Sequence, residues 1–139
     1  MTTFRIHGQF KVRLEGQIFI SEVVGPWNRE LVDTWSRQSF PLISQFTADQ
    51  PYVGICMIYE SMLCPPDALD LLFRVARFSK EKLHCLGNAI VADTRVDGRN
   101  LVEAAYKRIG LDDFFDDFAA AKKWADTKLE EHARNSGRP

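Results

Sequence analysis

The 139-residue sequence has no apolar run long enough to cross a membrane: its longest are strand-sized, well short of the roughly 18 to 20 residues a spanning helix needs. Membrane insertion is not expected. Charge of one sign is also lacking, since 18 basic residues stand against 19 acidic ones, which removes the usual electrostatic clue to nucleic acid or an anionic lipid surface. Nucleic acid is not an expected partner. Cysteine is scarce and odd in number; Cys56, Cys64 and Cys85 match no zinc or redox spacing, so reduced, unpaired thiols are expected. The opening residues Met1-Thr2-Thr3-Phe4-Arg5 lead into no apolar segment of the secretory kind, and a cytoplasmic location is the simplest expectation.

Catalytic fixtures are missing too. There is no GxGxxG, GxxxxGK[ST] or GxSxG, which takes away the usual supports of dinucleotide binding, P-loop hydrolysis and serine hydrolysis. His7, His84 and His132 lie far apart in different expected elements, without HxxxH, HxxE or CxxC spacing, so neither a metal nor a cofactor is expected.

What is present is the composition of an ordinary globular domain, 45% hydrophobic and 27% charged, and one domain over residues 1–139 is expected, with a frayed tail from Ala133 to Pro139. Phe10, Val12 and Leu14 alternate with Lys11 and Arg13, as on a half-exposed strand. The turn pair Glu15-Gly16 joins this strand to a second run, Gln17 to Val24, so the two must be antiparallel. Phe4-Arg5-Ile6 is a weaker strand candidate, interrupted by Gly8.

After Gly25-Pro26, the residues Leu31, Val32, Trp35, Leu42, Ile43 and Phe46 recur at helical spacing, with a bend or break expected before Pro41. Tyr52 to Tyr59 is apolar without alternation, which marks a strand buried on both faces at the centre of the sheet. Pro65-Pro66-Asp67 suits a helix start, and Leu69, Leu72, Phe73 and Ala76 form its expected stripe. Asn88 to Ala92 is a second charge-free strand. A helix follows with Leu101, Val102, Ala105 and Ile109 on one face and Gly110 as its cap, then a short edge strand at Phe114-Phe115. Asp116 or Asp117 can cap a last helix that buries Ala121, Trp124, Ala125 and Leu129. The expected fold is therefore α/β, a mixed sheet of four to five strands with four helices: an N-terminal antiparallel hairpin, then parallel βα units joined by right-handed crossovers.

That order, with Ala89-Ile90-Val91-Ala92-Asp93, Phe114-Phe115 and the closing Phe118-Ala119-Ala120-Ala121-Lys122-Lys123-Trp124, resembles the SpoIIAA-like group of the STAS superfamily over residues 10–130. The resemblance implies a non-enzymatic binding or interaction module with a regulatory role, working on a protein partner or as a homodimer. It also implies, through its likeness to the Sec14 outline, an alternative as a carrier of a small apolar molecule or lipid. The family's phosphorylatable serine or threonine lies in an aspartate-serine-x-glycine context, whereas Glu60-Ser61-Met62-Leu63 has the serine without the aspartate or the glycine. The phosphosite is not carried over.

A third reading is an enzyme at the carboxyl ends of the two charge-free strands, where ligands of open α/β sheets collect. If those strands are parallel neighbours, Glu60, Ser61 and Cys64 border one edge with Asp93, Thr94 and Arg95, which offers an acid, a hydroxyl, a cation and helix-start amides to a small anionic ligand. The simpler reading is a turn in which Asp93 and Arg95 pair with each other. Cys64 sits where a helix dipole would favour a thiolate, but packing is the simpler role in the absence of a histidine neighbour. Trp35 and Trp124 fall on apolar stripes, and Trp27 is the best of the tryptophans for a surface contact.

Overall fold

The computed structural model of the protein describes residues 9–108, 111 and 113–135. The expected Phe4–Ile6 strand, His7, Ile109 and the Gly110 cap lie outside them. The elements follow in the expected order: β1 (Gln9–Glu15), β2 (Ile18–Val24), α1 (Arg29–Ile43), β3 (Tyr52–Tyr59), α2 (Pro66–Lys82), β4 (Cys85–Val91), α3 (Arg99–Arg108), β5 (Asp113–Phe115) and α4 (Phe118–Asn135).

The sheet runs β1-β2-β3-β4-β5. Its first pair is antiparallel, turned at Gly16 with φ +60, a conformation glycine adopts without a Cβ penalty. The β2–β3, β3–β4 and β4–β5 pairs are parallel. Each crossover steps one strand further in the same direction, so crossovers of one hand leave all three connecting helices on one face. Leu31 and Val32 of α1, Ala68 and Leu72 of α2 and Tyr106 of α3 accordingly share one cluster with Val23, Ile58 and Ile90 of the sheet.

The opposite face packs on α4 alone. Period-two alternation sends Ile18, Ile20, Val53, Ile55, Met57, Ala89 and Val91 to that side, against Ala121 and Ala125. β5 divides in the same way: Phe114 meets Tyr106 edge-on at 6.1 Å, and Phe115 meets Trp124 at 5.9 Å. Asp117 caps α4 by accepting from the Ala120 N–H at 2.9 Å, and the helix continues through Ala133 to Asn135 where a frayed tail was expected.

Three expectations meet a different structure. α1 does not break before Pro41 but runs through it to Ile43. Only its last turn lies beyond the proline, and burying Ile43 (6% exposed) is worth about 1.5–3 kcal/mol, comparable with the ~3 kcal/mol a proline costs inside a helix. Leu101 is 82% exposed, because α3 seats on Val102 and Tyr106, four residues apart, and Leu101 lies about 100° round the helix from Val102. Trp27, expected near the surface, is 2% exposed and packs edge-on to Trp35 at 5.8 Å. Its backbone N–H donates to the Leu63 carbonyl at 3.0 Å, which draws the loop after β2 in under the loop after β3.

Candidate functional site

Two places on the molecule gather candidate residues. The first is the carboxyl edge of β3 and β4. Glu60 takes φ +70 and turns the chain out of β3, so that Ser61 forms an isolated parallel bridge with Asp97. The Met62 N–H donates to the Asp97 carbonyl at 2.8 Å, and the Asp97 N–H donates to the Glu60 carbonyl at 3.0 Å. The two loops are thus joined by their backbones. Ser61 is 7% exposed, with its Oγ accepting from the Leu63 N–H at 3.2 Å.

Asp93, Thr94 and Arg95 are exposed on the second loop. Arg95 spreads its fork over Asp93, with Nε to Oδ1 and Nη2 to Oδ2 both at 2.9 Å, while its own N–H donates to Oδ1 at 2.8 Å. The side-chain hydrogen bonds from Arg95, helped by its backbone N–H and charge, hold the Asp93 carboxyl down at about 2. Cys64 shows the reverse of nucleophile activation. Burial, reinforced by the nearby Asp67 carboxylate, pushes its thiol up to about 12.

The second place is a cavity of about 540 Å³ between the sheet and the helices α1 and α2. It exists because small residues occupy positions where the helix stripes would otherwise carry bulk: Ser36 and Ser39 on α1, and Ala76 and Ser79 on α2. Below them, Ser21, Gly54 and Cys56 leave the strands equally bare. A Cβ on Gly54 would come within 2.3 Å of Asn88 Oδ1, so the glycine is what lets the Asn88 side chain lie across β3.

The hydroxyls around this space are already engaged. Trp35 Nε1 donates to Ser21 Oγ at 2.9 Å, Ser39 Oγ donates to the Trp35 carbonyl at 2.6 Å, and Ser79 Oγ donates to the Val75 carbonyl at 2.9 Å. The walls therefore present mainly carbon. Tyr106 Oη donates to the Met62 carbonyl at 3.4 Å, and burial pushes its phenol well up; the Trp27 indole N–H is buried without an acceptor in hydrogen-bond geometry. Cys56, whose thiol burial raises to about 12, is half-buried and lines the cavity.

Among the described residues, the cavity lining includes no aspartate, glutamate, lysine or histidine, and its charged members are Arg37 and Arg74. Phe40 of α1 and Phe78 of α2, each 48% exposed, also border it and mark the opening between the two helices. Sequence reasoning missed this site. Its available signal was the interruption of two apolar stripes by Ser36, Ser39, Ala76 and Ser79, a pattern that a solvent-facing stretch of helix produces equally well. Compared with protein-family models and with curated proteins, the chain matches none.

Proposed function

We propose that the protein is a non-catalytic binding protein that holds a small, largely apolar molecule in the cavity between α1, α2 and the sheet. The observation that carries this reading is the cavity itself. Its volume of about 540 Å³ falls within the ~300–1,000 Å³ typical of small-molecule sites, and its walls are carbon-rich with the surrounding hydroxyls internally satisfied. Catalysis is disfavoured because the thiol and phenols facing the cavity are held protonated by burial, and among the described residues no carboxylate or imidazole lines the cavity to take a proton.

This reading agrees with the carrier function that the Sec14-like resemblance of the sequence implies. A saturable rise in the fluorescence of N-phenyl-1-naphthylamine, a neutral apolar dye, is the expected result. Native mass spectrometry reports any molecule carried through purification. No dye binding by the folded protein refutes the reading.

A second reading, a module that engages a protein partner, is favoured by the exposure of Leu101 (82%) and Leu63 (40%) beside Gly98. It predicts that Leu101→Lys abolishes self-association or partner capture without loss of stability, read by light scattering and thermal melts.

A further inference from the structure

The charges that line the cavity are of one sign, and they define the kind of molecule that fits. Arg37 from α1 and Arg74 from α2 both border it, whereas Asp33 and Asp70, their ion-pair partners one helical turn earlier, do not. The arginine side chains are 74% and 64% exposed, so they stand at the solvent end of the cavity. Among the described residues the inner walls offer no cation, and a carboxylate or phosphate carried inward would lose its hydration without a counter-charge. A positive charge placed at the opening would meet two guanidinium groups. From this asymmetry we infer that the ligand is a single-chain anionic amphiphile, with its tail under Phe40 and Phe78 and its anionic head between Arg37 and Arg74.

Exposed i,i+4 pairs hold their partners weakly, so each guanidinium can turn from its aspartate to a bound head group at little cost. The planar fork of arginine suits a carboxylate, sulfate or phosphate monoester, and the shared chemistry is the anion rather than any one of these.

The inference rests on the cavity being the binding site, and its test separates the two. Dodecanoate, dodecan-1-ol and dodecyltrimethylammonium, each below its micelle concentration, compete with N-phenyl-1-naphthylamine on wild-type protein and on the double variant R37Q/R74Q. The expected result is that the double variant weakens dodecanoate about tenfold while dodecan-1-ol changes less than about twofold, as for loss of charge-assisted contacts at an exposed rim. Added salt should weaken dodecanoate selectively. Dye binding with no dependence of dodecanoate on the two arginines overturns the anionic-head inference and leaves the cavity reading intact, and so does equal competition by the ammonium amphiphile. Failure of the dye to bind at all overturns both. Repeating the competition with dodecyl sulfate and dodecyl phosphate distinguishes the head groups: weaker competition by them in R37Q/R74Q than in wild type supports an arginine-held anionic head, and competition by every anion that the double variant leaves unchanged overturns it.

Discussion

Filling the cavity from the α2 side with Ala76→Leu reverses the usual sign of a core substitution. The cavity of about 540 Å³ opens to solvent between Phe40 and Phe78, so a side chain added inside it displaces solvent and not packed protein. A leucine there adds three carbons at about 0.8 kcal/mol each and loses about 0.5–1 kcal/mol of rotamer freedom, a net gain of about 1.5 kcal/mol. The melting temperature should rise by about 4 °C, while N-phenyl-1-naphthylamine binds at least tenfold more weakly because the leucine takes its room. In a close-packed interior the same change would destabilise by about 1–3 kcal/mol. Scanning calorimetry with dye titration on the same samples is the assay; a lowered melting temperature with unchanged dye affinity refutes the reasoning.

Gly25 passes so close to the loop after β3 that a Cβ there would stand 1.8 Å from the Ser61 carbonyl oxygen, so Gly25→Ala should cost about 3 kcal/mol or more in urea unfolding. A cost below ~1 kcal/mol would mean that the two loops are not in contact. Asp93, held at about 2 by Arg95, contributes stability that is full above its ordinary pKa near ~4 and is lost as pH falls through about 2. In Arg95→Ala, the carboxyl carbon of Asp93 should titrate near its ordinary value by NMR, and an unmoved midpoint would exclude the pairing. With both thiols raised to about 12, Cys56 and Cys64 should react slowly with maleimide at neutral pH until denaturant is added, and Cys64→Ser should bind the dye as wild type does. Rapid labelling of the folded protein, or loss of binding in a folded Cys64→Ser, would return Cys64 to the site.

Much of the fold is legible locally. The alternation of Phe10, Val12 and Leu14, the turn at Gly16, the charge-free run Tyr52–Tyr59 and the proline start of α2 each determine an element from its own residues, because side-chain period and backbone freedom are short-range properties. That parallel β3 and β4 bring their following loops to one edge was legible as well, but the contact between those loops runs through Ser61 and Asp97, while Asp93 and Arg95 engage each other within their own loop. Only the tertiary structure decided that Trp27 is buried, that Leu101 faces outward and that β1-β2-β3-β4-β5 is the strand order. It alone revealed the cavity. Ser39, Ala76 and Ser79 are unremarkable on their own helices, and Gly54 and Cys56 on their strand; a void forms only where small residues from distant segments face one another, and volume summed across three elements is not a property of any local stretch of chain.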